Sequence, residues 1–450
     1  MEVGNDLLLW LWTEFQWPPW ASASCIALSM CLAMLHVIDK LSSRVEKVET
    51  AAEMATSDAF KSFQRQYLVV YFLVMFADWL QGTHMYSLYE SYDVNVSVLF
   101  LTGFLSSALF GNVVGPIVDR YGRRNACVVF CILEIIINVL ENIPNMTVLL
   151  LGRVLGGVST SLLFSAFESW LVTEHRAKGF HDDLLAKTFA IASEGNGLLA
   201  VLAGIVAQVA ADHMGEIGPF RLAVLVTVLA LVCVLSWSEN YGDRQESDRK
   251  PSADDSMGYP MKWSFSVYAL GLCYSLFEGA MYVFVFLWYP TLYVVVPDSN
   301  LPSGLVFSSF MLCISIGGKF YDMLSQRVKE EHLASALCAV SGLMFVVPTV
   351  SNRFEWVFAS FLVFEFCVGA FSPCCATLRS RYFPNDRLST ILSTFRFPTN
   401  VLVVLGTGGV NYVSRELLFQ FCSVIMIAAT VCGYVLLRQQ RPTGSKGKIE

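Results

Sequence analysis

"GPIVDRYGRR", Gly115 to Arg124, returns as "GKFYDMLSQR", Gly318 to Arg327, 203 residues further along a chain of 450. Each copy carries Gly-x-x-x-Asp followed by a basic residue, and each closes a long apolar run. A polar motif repeated at the ends of apolar runs points to two related halves, as parallel repeats about an axis along a membrane normal would be. The second copy is degenerate, because it lacks the final Gly-Arg-Arg. The longest polar connection, Ser238 to Lys262, separates six apolar runs from six.

Composition places those runs in lipid. Hydrophobic residues make up 55% of the chain and charged residues only 15%, against roughly 25% charged in an ordinary soluble protein; mean hydropathy is +0.55. An apolar run of about 20 residues spans a bilayer as a helix. One such run, helix zero, covers 19–38. Twelve more follow at 67–90, 97–118, 126–143, 147–172, 185–211, 219–237, 264–296, 304–322, 333–350, 354–378, 388–413 and 416–437. Helix zero has Glu2 and Asp6 where a secretory signal carries basic residues, so it reads as a retained span.

The expected fold is therefore an all-α membrane protein with two six-helix bundles and one extra N-terminal span. Its expected parts are 1–66 (extra helix and linker), 67–237 (first bundle), 238–262 (linker), 263–437 (second bundle) and 438–450 (tail). Segment 41–63 mixes both charges at helical spacing, as an interfacial helix does.

Basic residues set the expected orientation. If the chain starts outside, the inner loops and tail hold 25 of the 30 Lys and Arg, in clusters at 40–65, 120–124, 176–187, 244–262, 319–329, 379–387 and 438–448. That asymmetry puts the C-terminus in the cytoplasm, with the plasma membrane as the default location. The sequons at Asn95 and Asn145 fall on predicted outer loops.

The net charge of −7 and the lack of a basic patch exclude nucleic acid as a partner. All 13 Cys lie inside apolar runs and read as small buried hydrophobes. No zinc spacing, phosphate loop or hydrolase motif is present, so no enzyme, metal or cofactor is expected. The partners expected are the lipid bilayer and a small inorganic anion, with the chain working as a monomer.

The "GPIVDRYGRR" string resembles the motif between the second and third helices of the major facilitator superfamily. Arg153 with Gly156 and Gly157 resembles that superfamily's weaker helix-four motif. "DWLQGTHMYSLYE" (Asp78–Glu90), "GRVLGGVSTSLLFSAFESWLVTEH" (Gly152–His175) and "STFRFPTN" (Ser393–Asn400) resemble the molybdate-anion transporter group, which has an extra N-terminal helix. The resemblance implies transport by alternating access with a site between the two halves. It also implies an inner gate at Gly115, Asp119, Arg120, Gly122, Arg123 and Arg124. A carrier of another small solute, or a sensor of the same fold that has lost transport, are the competing readings.

Charges within apolar spans mark pathways or latches, because isolating one in lipid costs several kcal/mol. Glu168 lies near the gate motif and reads as a salt-bridged latch against it. The stripe Gly152, Gly156, Thr160 is expected to admit a neighbouring helix. Arg153 has two open readings, a structural ion pair or a place on the anion path. Arg396 sits about 12 Å into its helix, on a polar face with Ser389, Ser393 and Asn400. A guanidinium beside an amide and hydroxyls suits a tetrahedral oxyanion. Trp79, Gln81 and Tyr282 join this candidate site by symmetry. The mid-helix acids Asp78, Glu134, Glu194, Glu278 and Glu365 either pair with Arg396 or carry protons. Asp78, near Gln81, and Glu278, between Tyr274 and Tyr282, are the foremost of these candidates. Lys319 and Asp322 read as a local pair.

Overall fold

In the computed structural model, the described residues are 17–46, 58–180, 182–241, 263–297, 301–325, 327–383, 388–409 and 413–439. Among them run thirteen helices: α1 Pro19–Glu46, α2 Asp58–Ser91, α3 Val96–Tyr121, α4 Arg123–Leu140, α5 Met146–Ala177, α6 Asp182–Met214 and α7 Gly218–Val234, then α8 Phe265–Val295, α9 Ser303–Ser325, α10 Glu330–Val350, α11 Phe354–Tyr382, α12 Leu388–Gly409 and α13 Arg415–Gln439. Eight are long and apolar enough to cross a membrane unaided, and α2, bent by 41° at its break, makes nine. The interfacial helix expected at 41–63 is not a separate element where it is described. Residues 41–46 continue α1 and 58–63 begin α2, while the rest lies outside the described residues.

The chain forms two compact units. The first holds 1–27, 41–259 and 302–311, and the second 28–40, 260–301 and 312–450. In the first unit α2 packs on α6 and α7, and α4 packs on α5 and α7. In the second, α8 packs on α12 and α13, and α10 packs on α11 and α13. Each six-helix set thus repeats one packing scheme.

Helix contacts between spans gain no hydrophobic free energy over lipid, so close backbone approach decides which faces meet. A Cβ added to Gly157 of α5 would collide with Ser106 of α3, and one added to Gly369 of α11 would collide with the Ile314 carbonyl of α9. The second and fourth helices of each set therefore touch at a glycine. Of the expected stripe on α5, Gly152 is buried, but Gly156 has open space around it, and the buried small residues continue at Gly157 and Ser161. Adjacent glycines lie about 100° apart on a helix, and only one of the two faces α3.

At the end of unit 1 that carries Gly122, α4 begins with two arginines. Its first amides are capped from a distant segment: Glu239 Oε1 accepts from the Arg124 amide at 2.9 Å and Oε2 from the Asn125 amide at 3.1 Å. A carboxylate at a helix N-terminus satisfies open donors and complements the helix dipole. Gly122 sits at φ +105°, and a side chain there would strike the Glu239 carboxylate. The same strap stacks Trp237 on Trp170 with 3.8 Å between ring centroids, and the Trp170 indole donates to the Ser238 carbonyl at 2.8 Å.

At the opposite end, Asn95 and Asn145 are helix N-caps. Asn95 accepts from the Val98 amide, and Asn145 from those of Thr147 and Val148. Glu141, fully buried, receives Arg153 Nη2 at 2.6 Å, the Tyr89 hydroxyl at 2.9 Å, and through its carbonyl the Tyr92 hydroxyl at 2.8 Å. Trp17, preceding α1, donates its indole N–H to Asp212 Oδ2 at 2.8 Å. Gln208 bridges Asp212 Oδ1 and the Gly304 amide.

Removing the Glu141 carboxylate would leave the Arg153 guanidinium buried without a counter-charge. Glu141→Ala is expected to cost roughly 3–5 kcal/mol, read as a lower melting temperature in detergent. The double variant Glu141→Leu/Arg153→Met should recover most of that loss.

Glu216, between α6 and α7, accepts from Ser87 Oγ at 2.5 Å. Burial holds its carboxyl above the ordinary value of 4.5, Asp212 and Glu90 push the same way, and the Ser87 bond opposes them. An acid raised in the folded state stabilises fully below its ordinary pKa, and that contribution is lost as pH rises through the raised one. Melting temperatures of Glu216→Gln should therefore match wild type near pH 4 and exceed it increasingly toward pH 8.

Candidate functional site

Polar side chains gather at mid-helix in both units, and the two gatherings differ in charge. In unit 1 the centre is Glu134 on α4. Its carboxylate accepts from Gln81 Nε2 at 2.9 Å, from Ser159 Oγ at 2.5 Å and from Asn138 Nδ2 at 3.4 Å. Asp78, one turn before Gln81 on α2, lies within electrostatic reach of Glu134. Trp79 points elsewhere: its indole donates to Asn196 Oδ1 on α6 at 2.8 Å, and its ring lies 5.7 Å from that of Phe307. The α2 candidates Trp79 and Gln81 thus serve two separate contacts.

In unit 2 the centre is a face of α8. Tyr274, Glu278 and Tyr282 recur every four residues, about 12 Å along one side of the helix. The neighbouring face carries Gly271, Ser275 and Gly279, and it seats α12. A Cβ at Gly271 would meet the Phe395 ring and one at Gly279 would meet Leu402. Ser275 Oγ donates to the Phe395 carbonyl at 2.5 Å. This close seating brings the next residue of α12, Arg396, into electrostatic reach of Glu278 and Tyr282. Arg396 and Asn400 have exposed side chains. The α12 backbone at Ser389 and Ser393 is helical, but their side chains lie outside the described set.

A second guanidinium belongs to this group. Read from the sequence, Arg379 is part of a basic loop. Instead α11 continues to Tyr382, and the Arg379 guanidinium carbon lies 4.5 Å from the centre of the Tyr274 ring. Tyr274 lies within electrostatic reach of both Arg379 and Glu278. The arrangement runs Arg379, Tyr274, Glu278, then Arg396 and Tyr282. Phe277, on the far side of α8, stacks on Phe371 with centroids 3.7 Å apart and fixes α11 against α8. The signal for Arg379 was its position five residues after Cys374 on a run that stays apolar to Leu378.

The other expected site residues are dispersed. Arg153 is engaged by Glu141, and Glu194 is exposed on α6. Glu365 is buried on α11 within electrostatic reach of Cys313. Lys319 and Asp322 approach to 3.8 Å. At the motif end of unit 1, Arg123 donates to the Ser169 carbonyl at 3.2 Å and to Thr173 Oγ1. Arg124 donates to the Leu235 carbonyl at 2.8 Å, and Arg120 is exposed over the Tyr121 ring. Gly115 is helical, and the Asp119 side chain lies outside the described residues. Glu168 is exposed, within electrostatic reach of Tyr67 and Tyr71. The acid held at the motif is Glu239, which the sequence reading left unassigned.

The corresponding end of unit 2 has its own pair. Arg381 on α11 grips Glu330 at the start of α10 with both nitrogens, at 2.7 and 2.9 Å. Tyr382 donates to Glu331 at 3.0 Å. Among the described residues, no group of three or more His, Cys, Asp or Glu is placed to hold a metal ion.

Residues 32–372 match a major facilitator family model described as sugar transporters with 12 transmembrane spans. The chain is 33% identical over 421 residues to a molybdate-anion transporter of Xenopus laevis, covering 89% of this chain and 91% of the relative. It is 32% identical over 415 residues to one of Danio rerio, covering 83% and 85%. Among solved structures, a peptide transporter POT in complex with sulfate superposes with a TM-score of 0.65 at 16% identity, over 84% of this chain and 94% of that one. The POT family transporter PepTSo gives 0.67 at 11%, over 85% and 99%. At such identities the structural likeness is one of fold. With two matching six-helix sets and a family model that covers most of its length, the chain belongs to the major facilitator transporters and is a multi-pass membrane transporter rather than an enzyme.

Proposed function

We propose that this transporter carries molybdate or a similar tetrahedral oxyanion by alternating access, with Arg396 as the principal contact and Asn400, Ser393 and Tyr282 around it. The observation that carries the reading is an exposed guanidinium on α12 beside the half-buried Glu278 and Tyr282 of α8. The molybdate-anion transporters at about one-third identity support it from the side of sequence. Arg153, whose Glu141 partner is buried, takes the structural role in this reading. Asp78, Glu194, Glu278 and Glu365 remain the candidates for proton or counter-ion exchange. Gly115, Asp119, Arg120, Gly122, Arg123, Arg124 and Glu168 form the gate region.

The reading further places the protein in the plasma membrane as a monomer, with its N-terminus outside and its C-terminus in the cytoplasm. It divides the chain into bundles 67–237 and 263–437, flanked by 1–66, 238–262 and 438–450. The description of the matched family model as sugar transporters supports a second reading, an uncharged polyhydroxylated solute.

Purified protein in liposomes distinguishes the two. Labelled molybdate should accumulate above empty liposomes, unlabelled sulfate should compete, and Arg396→Ala should lower uptake at least tenfold. Hexose uptake with no molybdate uptake would overturn the reading, and an unaffected Arg396→Ala would remove the proposed contact.

A further inference from the structure

Arg379 and Arg396 reach the same carboxylate from different helices of unit 2. Arg379 comes from α11 and lies over the ring of Tyr274, one turn before Glu278 on α8; Arg396 comes from α12, and both are within electrostatic reach of Glu278. Two guanidiniums against one carboxylate leave one positive charge in excess. A guanidinium set within a span is costly unless something negative meets it, so the excess is a standing demand for an anion. Were Glu278 to take up a proton, the excess would become two. The pair would then match a divalent anion, while a monovalent one would leave a charge uncompensated.

We propose that Arg379 is a second substrate-binding residue, inward of Arg396 along α8, and that the Arg379–Glu278–Arg396 group selects divalent over monovalent oxyanions by charge balance. This rests on the oxyanion reading above. The Arg379 guanidinium carbon lies over the Tyr274 ring, 4.5 Å from its centre, as a cation–π pair that leaves its N–H donors for other partners. Glu278 lies within electrostatic reach of both arginines. A proton from the water on one side neutralises Glu278, the dianion takes its place between the guanidiniums, and the same proton leaves to the other side when the anion departs. The charged and titratable groups facing Glu278 are Tyr274 and Tyr282 on its own helix, Arg379 and Cys375 on α11, and Arg396 on α12. About 12 Å separates Tyr274 from Tyr282 along α8, with Glu278 midway, so the two guanidiniums flank the place the dianion takes.

Perrhenate isolates the charge criterion, because it is tetrahedral and close to molybdate in size but carries a single negative charge. Binding of molybdate, sulfate and perrhenate to the purified full chain should be measured by competition for labelled molybdate. The variants are Arg379→Gln, Arg379→Lys and Arg396→Gln, each checked for monodispersity and melting temperature. Wild type should prefer both dianions to perrhenate by at least tenfold. Arg379→Gln should weaken molybdate at least tenfold and perrhenate by less than threefold, collapsing the preference, and Arg379→Lys should restore most of it. In liposomes, molybdate uptake by wild type should be accompanied by alkalinisation of the outer medium.

If Arg379→Gln binds molybdate within twofold of wild type, or perrhenate equals molybdate on wild type, the proposal is overturned while the oxyanion reading stands. If no oxyanion binds wild type, the oxyanion reading itself fails. Should Arg379→Gln not fold, Arg379→Met takes its place: a folded Met variant with wild-type selectivity overturns the proposal, and one whose preference for molybdate collapses while Arg379→Lys keeps it supports the charge role.

Discussion

A guanidinium withdrawn from water has to be met by negative charge, and the two halves of this protein meet that demand in opposite ways. In unit 1 the helix-buried Arg153 is closed off by Glu141, which also takes the Tyr89 hydroxyl, so the group is neutral and tied at one end of the bundle. In unit 2, Arg379 and Arg396 both lie within electrostatic reach of Glu278. The first arrangement ties the bundle. The second has more positive than negative charge, and the proposed binding of an anion rests on that surplus.

The same contrast appears where the third helix of each half begins. A helix N-terminus favours negative charge and needs acceptors for its first amides. Helix α10 carries Glu330 and Glu331 in its first turn, and these recruit Arg381 and Tyr382 from α11. Helix α4 starts instead with Arg123 and Arg124, which oppose the dipole, and the carboxylate is imported from Glu239, 115 residues downstream in the case of Arg124. The conserved shape of the repeat is thus met by charges of reversed sign. The glycine at φ +105° before α4 follows from this, since the imported carboxylate occupies the space a side chain would fill.

What could be read from residues alone was whatever depends on local periodicity. Twelve apolar runs and a preceding one became twelve helices and α1, and Tyr274, Glu278 and Tyr282 share one side of α8 as their spacing implies. Symmetry alone joins Tyr282 to Arg396, and Glu278 is one of five acids open to it; their nearness comes from the packing of α12 on α8. The misses all involve positions where two segments far apart in sequence meet. Gly156 and Gly157 are equally small, and only the approach of α3 decides which is needed. Glu168 and Glu239 are both acids near the motif, and the one that caps α4 is set by the turn after α7, which no spacing rule reports.

Arg379 is the most instructive of these. Hydropathy ends a span where charge begins, so an arginine three residues from a helix terminus reads as a loop residue facing water. An arginine stem is long and apolar, however, and it can run back along its own helix and deliver the guanidinium some 6 Å from its Cα. Where a tyrosine face waits at that height, as Tyr274 does, the terminal arginine becomes part of the interior. Charge at the end of a span therefore has to be assigned by where its head group lands rather than by where its backbone sits. In this chain that assignment adds Arg379 to Arg396 in unit 2 and sets both within electrostatic reach of Glu278.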